Sequence, residues 1–223
     1  MKRLGRLGIP GIILAVVLLV FICVMILYNS EIGMANDIGI REPEFSSVDY
    51  SSVPPSVVND AEKMADELVG NGGERHQDVV NQLVGSYLAA KEADIVVFFN
   101  SGGMGWNYIQ DTPGWSSILN GITSELKALG YRPLVINYCR TSKGLLGSIK
   151  EIIEAATRYT KKVVGMEKRV EFLVDHLPDL KFIITGESTG TVITEEAMGK
   201  LRDKPNVYSI QTGCPFWYRT IVQ

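Results

Sequence analysis

The sequence predicts an α/β fold built on a parallel sheet of about four strands flanked by helices, with one transmembrane helix and two packing helices ahead of it. Three observations predict this. Four short apolar runs, at Ile95 to Phe99, Leu134 to Tyr138, Lys181 to Thr185 and Val207 to Ile210, have the length and continuity of strands buried on both faces. Stretches with a 3.6-residue apolar period alternate with them, as the crossovers between parallel strands require. The N-terminus is set apart, because no charged residue occurs from Leu7 to Tyr28.

The chain has 223 residues, 46% of them hydrophobic and 21% charged. At about 150 residues per domain this is one domain with appendages. A net charge of -3 excludes a dedicated nucleic-acid binder, so no nucleic acid is expected as a partner. Lys2, Arg3 and Arg6 are the only charges in the first 28 residues, which leaves -6 for the remainder.

About 20 apolar residues cross a hydrocarbon core of about 30 Å, so residues 8–28 are expected to form a transmembrane signal-anchor. The competing reading is a cleaved signal peptide ending near Gly33-Met34-Ala35, but the apolar region exceeds the usual length of about 7 to 15 residues. Three positive charges before the span put the N-terminus in the cytoplasm and the rest of the chain outside it, at the cell membrane. Phe21-Ile22 before Cys23 lacks the small residues of a lipoprotein cleavage site, so no acylation is expected there.

Residues 29–57, with Pro54-Pro55 and several serines, read as a linker. Residues 58–92 read as a helical extension and 93–223 as the α/β domain. Ser56 is placed to cap a helix carrying Val57, Ala61, Met64 and Leu68, which Asn71-Gly72-Gly73 ends. Val79, Val80, Leu83, Val84, Tyr87 and Leu88 mark a second helix, and both are expected to pack rather than to act.

After the first strand, Trp115, Ile118, Leu119, Ile122, Leu126 and Leu129 share one helix face, closed by Gly130. A period running through Leu145, Ile149, Ile152, Ala156, Tyr159, Val163, Met166, Val170, Leu173 and Leu177 implies one long helix or two nearly coaxial ones, stopped by Pro178. A last helix follows from Thr189 to Leu201. Cys139 and Cys214 fall at the ends of strands roughly 14 Å apart at about 4.8 Å per strand, too far for a disulfide, so free thiols are expected.

The third strand runs into Gly186-Glu187-Ser188-Thr189-Gly190, a G-x-S-x-G pattern in a strand-turn-helix setting. Such a turn forces the serine to φ > 0, and only glycine two residues to either side lets strand and helix approach. The loop after the first strand, Ser101-Gly102-Gly103-Met104-Gly105-Trp106, is rich in amides. If the two strands are neighbours, N–H groups of Gly103 or Met104 and of Thr189 converge where an oxyanion would form. A dinucleotide-binding fingerprint fails, because Tyr108 stands where a third Gly or Ala belongs.

On these two motifs the sequence from Asp94 to Tyr218 resembles the α/β-hydrolase family. The resemblance implies a sheet in which the Leu134 strand flanks the Ile95 strand, then the Phe182 strand, then the Val207 strand. It makes Ser188 the nucleophile, Gly103, Met104 and Thr189 the oxyanion hole, and Gly186 and Gly190 the elbow glycines.

The sequence departs from that family in one respect: acid and histidine should follow the serine, and no histidine does. His176 precedes the third strand, roughly 20 Å from Ser188 at about 3.3 Å per strand residue. His76 reads as a solvated surface residue, and Glu195, Glu196 and Asp203 as facing solvent. Either acid and base lie beyond Gln223, or the domain lacks a conventional triad. The first is favoured, because an apolar edge strand and the aromatic residues after Pro215 call for more structure to pack against.

The expected function is therefore a membrane-anchored serine hydrolase acting on an ester, thioester or amide of a small-molecule or lipid-like acyl compound. The alternative is a non-catalytic binding module at the membrane. No metal and no cofactor is expected. The Leu145 to Ala156 segment is expected either to cap the substrate or to pack in the core.

Overall fold

A computed structural model describes residues 9–29, 45, 47–141 and 143–218. They fall into two units, Met1–Ala35 and Asn36–Gln223.

In the first unit, α1 (Ile9–Asn29) is a helix of 21 residues. Among the described residues no helix is long and apolar enough to cross a membrane, so the span expected over 8–28 is without structural support. The expected cleavage site at Gly33-Met34-Ala35 and most of the expected linker lie outside the described residues.

The second unit opens with a short turn at Tyr50–Ser52, whose Asp49 side chain accepts from the Ser51 N–H at 2.9 Å. Val53 is buried, so the last part of the segment read as linker packs on the domain. Helix α2 (Pro55–Val69) starts with proline, whose missing N–H is not needed in a first turn. Pro54, not Ser56, stands at its cap, and no side chain bonds there. Helix α3 (Gly73–Ala90) leads back to the sheet.

Strands β1 (Ile95–Asn100), β2 (Pro133–Asn137), β3 (Lys181–Glu187) and β4 (Val207–Thr212) form one sheet in the order β2-β1-β3-β4. Every pairing is parallel, with Phe98 opposite both Ile136 and Ile184, and Ile184 opposite Ser209. Between them run α4 (Pro113–Ala128), α5 (Leu145–Ala156), α6 (Thr160–His176) and α7 (Thr189–Lys200).

The alternation of strand side chains divides the interior in two. Val96, Phe98, Ile136, Phe182 and Ile184 face a core shared with α2, α3, α6 and α7. Ile95 and Val97 face Leu119 of α4, and Phe99 meets the Trp115 ring at 5.7 Å between centroids. Right-handed crossovers require this division, because β1 to β2 and β3 to β4 step in opposite directions across the sheet. The strand order reverses between β1 and β3, and the crevice at the carboxyl ends of such a pair is where open α/β sheets bind ligands. Tyr208 and Ile210 of the outer strand are exposed, and no element among the described residues covers them.

The periodic stretch from Leu145 to Leu177 is two helices. Arg158 (φ 53°) and Tyr159 (φ 56°) are both left-handed and break it after Thr157. Helix α5 is also turned against its pattern. Leu145 (77% exposed), Ile152 (63%) and Ala156 point outward, whereas Lys150, Glu151 and Glu154 are buried. Leu145, Ile152 and Ala156 therefore do not pack in the core, one of the two roles expected of this segment, whereas Ile149 is half-buried and Ala155 packs against the core.

Phe98→Ala is expected to cost about 3–5 kcal/mol of stability, by cavity formation and lost burial. Ile152→Ala should stay within about 0.5 kcal/mol, as at an exposed position. Denaturant unfolding followed by tryptophan fluorescence measures both, and a loss above about 2 kcal/mol at Ile152 would contradict the outward orientation of α5.

Candidate functional site

The last residues of β3 pass without a loop into α7, and the junction is strained. Ser188 adopts φ 49°, ψ -119°, a region costly to any residue with a Cβ. Both flanking glycines are sterically required. A Cβ on Gly190 would overlap the Asn100 carbonyl and come within 2.9 Å of the Ser101 oxygen. One on Gly186 would come within 2.8 Å of Thr191 Cα. The backbone of α7 therefore rests directly on the end of β1, as the G-x-S-x-G spacing anticipates. Asn100 adds a hydrogen bond from Nδ2 to the Gly190 carbonyl at 2.9 Å.

The loop after β1 lies beside this turn. A Cβ on Gly102 would stand 3.1 Å from Ser188 Cβ, and the Gly102 N–H donates to Glu187 Oε2 at 3.3 Å. Gly103 (φ 59°) is exposed, with open space where a side chain would be, so its glycine serves conformation rather than close contact. Its carbonyl accepts from Thr189 Oγ1 at 2.8 Å, which brings Gly103, Met104, Ser188 and Thr189 to the carboxyl ends of β1 and β3.

Beneath the loop lies a buried polar cluster that the motifs do not reveal. Arg140, just past β2, is fully buried. Its Nη1 donates to Asn100 Oδ1 at 3.0 Å and to the Ser101 carbonyl. Nη2 donates to the Gly103 carbonyl at 2.9 Å and to Thr189 Oγ1 at 2.7 Å. Nε is bonded to Glu151 Oε1 at 2.8 Å. The other Glu151 oxygen accepts from Lys162 Nζ at 2.9 Å and from Thr141 Oγ1 at 2.7 Å.

The Tyr159 ring packs against both cations, 5.6 Å from the Arg140 guanidinium carbon and 5.8 Å from Lys162 Nζ. Tyr138 closes the cluster by donating to the Lys162 carbonyl at 2.7 Å. Gly105 makes room for all this, since a Cβ there would lie 2.6 Å from Arg140 Cζ. A charged residue in the short stretch after a buried strand, Asn137-Tyr138-Cys139-Arg140, is the one signal in the sequence for this cluster. The 3.6-residue period through Leu145 and Ile152 hides it.

Burial pushes the Glu151 carboxyl up. The charges of Arg140 and Lys162, with hydrogen bonds from Thr141 and Lys162, more than offset this and hold it below its ordinary value of 4.5. Burial, reinforced by the negative charge of Glu151, raises the Tyr159 phenol above its ordinary value. Burial also pushes Tyr138 up to about 12.

The two histidines sit elsewhere. His76 Nε2 lies 2.8 Å from Asp66 Oδ1 of α2, so it is paired rather than simply solvated. His176 lies 3.4 Å from Asp60 Oδ2 and packs edge-on to the rings of Phe172 and Tyr87. Glu195 and Glu196, expected to face solvent, are half-buried. Glu195 accepts from Gln211 at 3.0 Å, and Glu196 accepts from the Tyr218 hydroxyl at 3.1 Å. Asp203 is exposed. Cys139 and Cys214 are free thiols. Among the described residues no group of three or more His, Cys, Asp and Glu side chains could hold a metal ion.

Comparisons with protein-family profiles, curated proteins and solved structures find no match for the chain.

Gly190→Ala is expected to cost about 3 kcal/mol, because the Asn100 carbonyl is backbone and cannot step aside. Gly103→Ala should cost about 1 kcal/mol, for backbone strain alone. Equal losses in denaturant unfolding would show that space at Gly190 is not limiting. Glu151→Gln should destabilise by about 3–5 kcal/mol at neutral pH, since it leaves Arg140 and Lys162 without their shared anion. The lowered Glu151 pKa contributes stability that is complete above about 4.5 and is lost as pH falls through the folded value. Unfolding free energy measured from pH 7 to pH 2 should fall less steeply in the variant below pH 4.5, and parallel slopes would refute the assignment.

Proposed function

We propose that this chain is a membrane-anchored serine hydrolase acting on an ester, thioester or amide, with Ser188 as nucleophile. The observation that carries the reading is the strained backbone of Ser188, φ 49° between two glycines that abut neighbouring backbone, at the point where the strand order reverses. Strain of about 1–3 kcal/mol persists where the surrounding structure over-determines it, and lifting a nucleophile clear of a sheet is a use for it.

In this reading the Ser188 oxygen attacks an acyl carbonyl, and the N–H groups of Gly103 or Met104 and of Thr189 receive the oxyanion. The Thr189 amide opens α7 and so has no partner within the helix. The hydroxyl proton must pass to a base, and the expected acid and base are assigned to no described residue. Substrates of the class are small-molecule or lipid-like acyl compounds.

Anchoring rests on the uncharged run from Leu7 to Tyr28 and on Lys2, Arg3 and Arg6 before it, which orient the folded unit to the extracytoplasmic side of the cell membrane.

A second reading, a non-catalytic binding module of the same form, is favoured by one observation. Both histidines are engaged with carboxylates of α2, His76 with Asp66 and His176 with Asp60, rather than with Ser188.

A fluorophosphonate probe separates the two. Labelling of the full chain in its membrane fraction, abolished by Ser188→Ala, is the expected result. A folded protein that takes no label would leave the binding module standing.

A further inference from the structure

We propose that Arg140 is the positioning residue of the oxyanion-binding loop, setting by one guanidinium fork the direction of the Met104 amide and tying that loop to Thr189. The inference rests on the hydrolase reading and deepens it, assigning a function to a residue that touches no substrate.

The geometry begins with a single peptide. In a trans peptide the C=O of one residue and the N–H of the next point in opposite directions. The Gly103 carbonyl is gripped by Arg140 Nη2 at 2.9 Å and by Thr189 Oγ1 at 2.8 Å, so the Met104 N–H is turned away from both. The same Nη2 holds Thr189 Oγ1 at 2.7 Å, which places the residue carrying the second amide on the same clamp. Nη1 fixes the preceding Ser101 carbonyl and the Asn100 side chain, whose other end holds Gly190. Four of the five groups bonded to the guanidinium thus belong to the two segments that would flank an acyl group, and the fifth is Glu151.

The surroundings are built to keep this fork in place. Glu151 holds Nε, the Tyr159 ring packs against the guanidinium, and Gly105 is bare where any side chain would strike Arg140. Well-packed apolar residues in place of a buried ion pair are often as stable or more so, so stability alone gives no reason for Arg140. Lysine would not serve, because a single ammonium cannot bond several acceptors in the fixed plane of a fork.

The test uses the full chain in its membrane fraction, a fluorophosphonate probe and p-nitrophenyl acetate as an activated ester. Arg140→Lys should still be labelled at Ser188, but at least about tenfold more slowly, given that loss of one oxyanion donor costs about a hundredfold or more. Ester turnover should lose kcat by a similar factor with KM within about twofold, as expected for contacts made in the transition state. Thr189→Val should slow labelling at least about fivefold relative to Thr189→Ser, which keeps the hydroxyl that grips Gly103. This pair decides the question if Arg140→Lys does not fold.

Wild-type labelling rates in folded Arg140→Lys, or equal rates in the two Thr189 variants, would overturn the positioning role and leave the hydrolase standing. Absence of labelling in the wild-type chain would overturn the hydrolase reading, and this inference with it.

Discussion

The hydrogen-bonded pair of Arg140 and Glu151 holds the candidate site together. Its atoms join the end of β2, the first helix after it, the loop after β1 and the first turn of α7. Stripping water from a guanidinium costs several kcal/mol, and only near-complete hydrogen bonding offsets that. Arg140 meets the condition with partners on every nitrogen, and Glu151 with partners on both oxygens. Removing either member of the pair leaves the other a buried charge short of its main counter-ion.

Strain is concentrated around that pair. Among the described residues the non-glycine positions with positive φ are Arg158, Tyr159 and Ser188. Tyr159 ends the turn between α5 and α6 and packs its ring against Arg140 and Lys162. Arg158 lies over the Tyr218 ring and near Glu196. Ser188 is one residue from Thr189, which Arg140 also holds. A residue with a Cβ held at positive φ costs about 1–3 kcal/mol, and beside Tyr159 and Ser188 the buried hydrogen bonds of Arg140 and Glu151 help to offset it.

Much of the framework was legible in the residues. The apolar runs beginning at Ile95, Leu134, Lys181 and Val207 all became strands, and their order followed the resemblance. The glycines around Ser188 announced a strained turn because strand and helix meet there without a loop, although the backbone that excludes a side chain at Gly190 belongs to β1. Legibility failed at α5. A 3.6-residue period shows which side chains share a helix face but not which way the face turns. The stripe through Leu145 and Ile152 therefore left a cap and core packing equally open, and it is Lys150, Glu151 and Glu154 that hold the inner side. The Ser56 cap failed for a smaller reason, because Pro55 suits a first helical position without side-chain help.

By itself the sequence determined where the chain extends, where it coils and where it must bend sharply. These depend on short-range patterns: continuous apolar runs, helical periodicity, and glycine where no other residue fits. Tertiary structure alone decided what lies beneath the bend. Asn100, Arg140, Glu151, Tyr159, Lys162 and Thr189 come from separate segments, and what unites them is the electrostatic need of a buried cation for partners. That need leaves no period or spacing in a linear chain, because any fold that brings the partners within about 3 Å satisfies it.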